Sequence, residues 1–214
     1  MRYADDCNIF VRTDVSAERV MKSVTSWLER KLFLKVSATK TKITRPTNSN
    51  FLGFTFWKNG DEWKCKPGND RKAKLYEKIK VVLKRKHAVS RPLAITFTKL
   101  NQIIRGWINY FRIGSMKLFI DEFGQWLRHK VRVIIVKQWK KTTTIYRNLQ
   151  MINKANNCGF SDEEIYMTAK TRLGWYRQCG MKTVGYILNP NILSKPNKKR
   201  NRPGLVNPLL YYLR

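Results

Sequence analysis

The sequence predicts an α+β chain in which short β-hairpins and one helix come first and a mostly helical bundle follows. Alternating apolar residues with tight-turn signals fill the stretch before residue 67, and apolar spacing of three and four takes over after Pro67-Gly68. A composition of 43% hydrophobic and 12% aromatic residues suits a packed core rather than a disordered basic tail. The 214 residues have room for one large domain or two small ones. They are read as residues 1–66, a helical segment 67–150, and a basic helical or extended region 151–214.

The opening MRYADDCNIF alternates around Asp5-Asp6, with Ile9 and Val11 on one face and Asn8 and Arg12 on the other. Residues 2–12 therefore read as strand, tight turn, strand, with the aspartates at the tip. Next, Val20, Val24, Trp27 and Leu28 recur at helical spacing, with Asp14 or Ser16 as N-cap. FLGFTFWKNGDEWKC reads as a hairpin with Leu52, Phe54 and Phe56 on one face and Asn59-Gly60 as its turn.

Beyond Pro67-Gly68, Arg71 to Lys86 carries Leu75, Ile79, Val82 and Leu83 on one face and lysines opposite. A helix after Pro92 has Leu100, Ile103, Ile104, Trp107 and Phe111 in a wide apolar stripe. A third, about Lys117 to Lys141, turns Phe119, Phe123, Trp126, Leu127 and Ile134 inward, with Arg128 and Arg132 one turn apart on another face. Trp107 and Trp126 read as core. Ser161-Asp162-Glu163-Glu164 is a capping box, with Phe160 and Ile165 placed as a hydrophobic staple. The end, LSKPNKKRNRPGLVNPLLYYLR, reads as extended with a short apolar close.

Charge narrows the function. Forty-four Lys and Arg stand against 14 acids, a net +30, and such an excess calls for a polyanion, by default nucleic acid. The excess is +6 over residues 1–66, +16 over 67–150 (20 basic, 4 acidic) and +8 thereafter. Arg105, Arg112, Arg128, Arg132, Lys137, Lys140 and Lys141 are the candidate phosphate contacts of the helical middle, and its aromatics either stack on bases or fill the core. The four cysteines, Cys7, Cys65, Cys158 and Cys179, form no C-x-x-C and have neither His87 nor His129 near them, which argues against zinc and for reduced thiols. No apolar run reaches membrane-spanning length and no signal peptide opens the chain, so a soluble, cytoplasmic protein with no membrane partner is expected.

Paired carboxylates at a hairpin tip suit a divalent cation with oxygen ligands, typically Mg2+, and two such ions serve phosphoryl transfer. An ordinary Asp turn is the plainer reading of the pair alone. The flanking sequence favours the first: RYADD resembles the metal-binding hairpin of reverse transcriptases. LKVSATKTKI and FLGFTF then resemble that family's next block and the block near its primer grip. LNQIIRGWINYFR and WLRHKVRVIIVKQWKK are similar to the maturase-specific region of group II intron-encoded proteins.

The resemblance implies a partial reverse-transcriptase palm followed by a thumb and maturase module. Tyr3, Asp5 and Asp6 would lie at the polymerase site, with Asp5 and Asp6 on Mg2+. Lys40 and Lys42 would lie near the incoming nucleotide, unless they belong to a solvated loop, and Gly53 would lie near nucleic acid. The implied partners are group II intron RNA and an RNA template with its DNA primer.

In that family the fingers and another metal-binding aspartate precede the YADD hairpin. Since none precedes it in this sequence, the expectation is an incomplete carboxylate cluster that binds Mg2+ weakly. Polymerisation would then need a fingers and palm chain from elsewhere. The alternative is a stand-alone RNA-binding splicing module, or a gene remnant, without polymerase activity. No paired C-x-x-C follows, so DNA cleavage is not expected.

Overall fold

The computed structural model describes residues 2–3, 6–197 and 201–214. The backbone divides into two units, residues 1–71 with 113–115, and residues 72–112 with 116–214. The architecture is α+β and mostly helical, as the sequence predicts.

In the first unit, β1 (Arg2–Tyr3) pairs antiparallel with β2 (Asp6–Cys7), Tyr3 facing Asp6 and Arg2 facing Cys7. The ladder is shorter than the alternation suggests, because residues 8–12 leave it and Ile9, Phe10 and Val11 stay largely exposed. The Phe10 ring instead meets Phe56 edge-on at 5.9 Å between centroids. Asp6 thus opens the second strand, and Asp5 lies outside the described residues.

Helix α1 (Asp14–Leu32) is capped one residue earlier than expected. Thr13 Oγ1 accepts from Ser16 N at 3.2 Å, which leaves Asp14 as a first-turn acid favourable to the helix dipole. None of its residues is buried, and Trp27 is 54% exposed.

Past a 3-10 turn at Pro46–Asn48, strands β3 (Asn50–Phe51), β4 (Phe54–Asn59) and β5 (Glu62–Pro67) form an antiparallel sheet in that order. Two turns differ from the sequence reading. Leu52 does not share a strand face with Phe54 and Phe56, because Leu52-Gly53 turns the chain between β3 and β4, with φ of 54° and 82°. Positive φ at both central residues is what the commonest two-residue hairpin turn demands. The second turn is Gly60-Asp61 rather than Asn59-Gly60, since Asn59 pairs with Glu62 and Gly60 supplies the φ of 60°. Residues 113–115 join this sheet's end, Ser115 N donating to Cys65 O at 2.8 Å.

Helix α2 (Asn69–Val82) buries Leu75 and Ile79. It stops before Lys86 because Lys84 takes an extended ψ of 117°, and a separate turn, α3 (Arg85–Ala88), follows. The second unit is built on α4 (Leu93–Phe111) and α5 (Lys117–Trp139), whose Phe97, Leu100, Ile104, Ile120, Phe123 and Leu127 are fully buried. Each such side chain contributes about 1.5–3 kcal/mol on leaving water. Trp107 and Trp126 are half-buried rather than central. Trp107 packs on Phe111 and Phe119, and Trp126 on Tyr76 at 4.7 Å, so both rings keep an accessible part.

Helix α6 (Thr142–Asn156) was not apparent in the sequence; its buried face runs Ile145, Leu149, Asn153. In α7 (Asp162–Lys170) the capping box forms: Ser161 N donates to Glu164 Oε2 at 2.9 Å, Glu164 N donates to Ser161 Oγ, and Ile165 is fully buried. Three short helices, α8 (Trp175–Gly180), α9 (Lys182–Ile187) and α10 (Pro190–Ser194), lead to α11 (Pro208–Tyr212). Helix α8 lies against α5, and α11 lies against both α4 and α5. Among the described residues, no helix is long and apolar enough to cross a membrane.

Candidate nucleic-acid interface

The stretch RGWINYFR occupies the last two turns of α4. Spacings of four and three put Arg105, Asn109 and Arg112 on one exposed face, while Ile104, Ile108 and Phe111 are buried on the other. The C-terminal helix docks there. Tyr211 Oη donates to Asn109 Oδ1 at 3.0 Å, and Arg112 Nη2 donates to Tyr211 O at 2.9 Å. The Arg105 and Arg112 guanidinium carbons lie 5.8 and 5.5 Å from the Tyr211 ring centroid. Two planar cations are thereby held on one ring, both on exposed residues.

Asn101, one turn further into α4 and buried, fixes the tail. Its Nδ2 donates to Gly204 O and its Oδ1 accepts from Val206 N, both at 2.8 Å. Tyr211, Asn109 and Asn101 were not among the sequence candidates, because docking of a segment a hundred residues away leaves no local periodicity.

Along α5, Arg128 is half-buried beside Gly124. A Cβ at Gly124 would stand 3.0 Å from Arg128 Nη1, so the glycine makes room for the guanidinium. Burial lowers the Arg128 pKa, and Asp121 partly offsets this. Arg132 has a different environment from that expected of a phosphate contact. Its Nε and Nη2 donate to Leu188 O and Gly185 O, each at 2.9 Å, satisfying carbonyls at the C-terminal end of α9. Burial first, then Arg128, lowers its pKa.

Lys137 is half-buried, and Lys140 and Lys141 are exposed at the corner between α5 and α6. Lys141 N donates to Trp139 O at 2.7 Å across Lys140, whose φ of 61° and ψ of −68° make the strained hand of γ-turn. The helix therefore ends at Trp139, and the corner projects both ammonium groups.

In the first unit, Tyr3 is 65% exposed and Asp6 is exposed beside it. Lys40 and Lys42 are exposed in the loop after α1, where Lys40 N and Thr41 N donate to Ser37 O. Gly53 O accepts from Gly68 N at 2.8 Å, and the Arg71 side chain covers the glycine where a Cβ would sit. For a divalent cation, the described residues offer one carboxylate of the Asp5-Asp6 pair. No group of three or more His, Cys, Asp or Glu side chains placed to hold a metal occurs among them. Asp6 by itself makes no Mg2+ cage among the described residues.

Residues 1–56 match the family model of the reverse transcriptase (RNA-dependent DNA polymerase), and residues 72–152 match that of the group II intron, maturase-specific domain. Together the two matches place the chain with the group II intron-encoded reverse transcriptases/maturases. The maturase-specific match contains all seven basic candidates from Arg105 to Lys141, whereas Tyr211 lies outside it. Tyr3, Asp6, Lys40, Lys42 and Gly53 fall within the polymerase match. These domains imply intron RNA and nucleic-acid substrates, and the reverse transcriptase family implies a divalent metal requirement. Among curated proteins no match was found.

Proposed function

We propose that the helical unit of this reverse transcriptase/maturase holds structured intron RNA through its phosphates. The observation that carries the reading is the Arg105–Asn109–Arg112 face, whose cations are set on Tyr211 within a segment carrying +16 over residues 67–150. Twenty cations cannot be neutralised by four acids, and cations fixed on a helix match successive phosphates while each contact releases condensed counterions. Arg128 and Lys137 on α5, and Lys140 and Lys141 at its C-terminal corner, add further cations to this unit. Arg132 acts by positioning α9, whose C-terminal carbonyls it holds. We further assign Tyr3, Asp5 and Asp6 to a Mg2+-dependent polymerase site, and Lys40, Lys42 and Gly53 to the path of nucleotide and primer, as in the reverse transcriptase family.

The test is the affinity of the full chain for structured intron RNA against that of an Arg105→Ala, Arg112→Ala double variant checked for folding by circular dichroism. Binding is expected to weaken about uniformly across RNA sequences, as loss of phosphate contacts does. A folded double variant with unchanged affinity contradicts the reading.

A further inference from the structure

A small cleft in the second unit has a chemistry that phosphate binding alone does not use. One wall is Trp126, held edge-on against Tyr76 at 4.7 Å and near-parallel to Phe123 at 6.0 Å. The other is Tyr176 of α8, 51% exposed and set against His129 at 4.2 Å. Val133 and Ile134 form an apolar floor, Lys80, Arg85 and Lys130 stand around the mouth, and among the described residues no acidic side chain lines it. The Lys130 ammonium lies 6.0 Å from the Trp126 centroid and 5.1 Å from that of Tyr176.

We infer that this cleft receives one unstacked nucleobase, from a bulge or a single-stranded turn of the bound RNA. The inference rests on the RNA-binding reading above and names the form of RNA that the site selects. Size decides the class of occupant. The cleft encloses about 110 Å³, well beyond the roughly 10–15 Å³ a water needs and below the roughly 300–1,000 Å³ of ordinary small-molecule pockets. One planar ring system fits, and a whole nucleoside triphosphate does not. Two aromatic walls over an aliphatic floor suit the face of a base, and three cations at the rim suit the phosphates on either side of it. A base entering the cleft replaces the Lys130 ammonium against the two rings, and the flexible lysine stem carries that charge to the adjacent phosphate.

The experiment measures the affinity of the full chain for three short RNA duplexes: fully paired, with one bulged adenosine, and with an abasic residue at the bulge. The bulged adenosine is expected to bind roughly 5- to 150-fold tighter than the abasic bulge, the range of a single base–aromatic stack. Tyr176→Ala is expected to remove that preference while leaving the affinity for the paired duplex unchanged. Tyr176→Phe is expected to retain it. Equal affinity of the wild-type chain for bulged and abasic duplexes overturns the inference and leaves the RNA reading standing. A preference that survives Tyr176→Ala also overturns it, since the base then sits elsewhere. If none of the three duplexes binds at low salt, the RNA reading falls as well.

Discussion

Replacing Asn101 by Ala removes both hydrogen bonds that fasten residues 204–206 to α4, each 2.8 Å long. A neutral hydrogen bond is worth a net 0.5–1.5 kcal/mol, so the pair contributes about 1–3 kcal/mol. The loss stays in that range because Gly204 and Val206 are only half-buried and water can reach the groups left behind. What then holds the tail is Leu205, 3% exposed and worth about 1.5–3 kcal/mol of burial, with buried Pro208, the packing of α11 on α4 and α5, and the Arg112 and Asn109 contacts to Tyr211. The clamp is a sizeable share of the tail's attachment, and Asn101→Ala should loosen residues 204–206 locally before the unit unfolds. In hydrogen exchange, the amide of Leu205, bonded to Leu193 O, should lose protection while those in the middle of α5 keep theirs. The melting temperature should fall by roughly 2–4 °C per kcal/mol. Asn109→Ala, which breaks one exposed bond, should have less effect. Wild-type exchange at Leu205 in the Asn101→Ala variant would refute the clamp.

Acid should weaken the fold through His129. Burial first, then Arg132 and Lys130, holds its pKa below the usual 6.5, so between about 6.5 and the lowered folded value the unfolded chain binds the extra proton and stability falls as pH falls. His129→Gln should flatten the stability difference between pH 7.5 and pH 5.5 relative to wild type, and parallel profiles would exclude the effect. Lys140→Gly should raise the urea midpoint, because a side chain at φ 61° and ψ −68° costs about 1–3 kcal/mol against roughly 0.5–1 kcal/mol for glycine's extra freedom. The same variant should bind RNA more weakly through the lost charge. Gly53→Ala should destabilise the first unit, since φ is 82° and a Cβ would stand 2.7 Å from Arg71 Nε; an unchanged melting curve would speak against it.

The sequence made the long helices legible wherever apolar residues recur over several turns, as in Leu100–Ile104–Phe111 and Phe123–Leu127–Ile134. It made the basic face of α4 legible for the same reason. Helix α6 escaped notice because its buried face ends in a polar residue: Asn153 Nδ2 donates to Phe160 O at 2.9 Å and replaces the apolar contact that periodicity looks for. Helices α8 to α10, of five or six residues each, are too short for any period to show. Leu52-Gly53 hid as strand because Leu is a poor signal for a residue with positive φ. The internal role of Arg132 depends on carbonyls more than fifty residues away, and the platform at Tyr211 depends on a tail a hundred residues from α4. Spacing places a cation on a helix face; only the tertiary fold decides whether that face meets carbonyls or solvent.

The salt dependence of RNA affinity tests the central claim most directly. With Arg105, Arg112, Arg128, Lys137, Lys140 and Lys141 engaged on phosphates, log Kd for structured intron RNA should rise with log salt concentration at a slope of about 4–5, at roughly 0.7–0.9 per contact. The Arg105→Ala, Arg112→Ala variant should reduce that slope by about 1.4–1.8. An affinity that ignores salt, or a slope that the double variant leaves unchanged, would contradict the account and make the charge of the helical unit a solubilising surface.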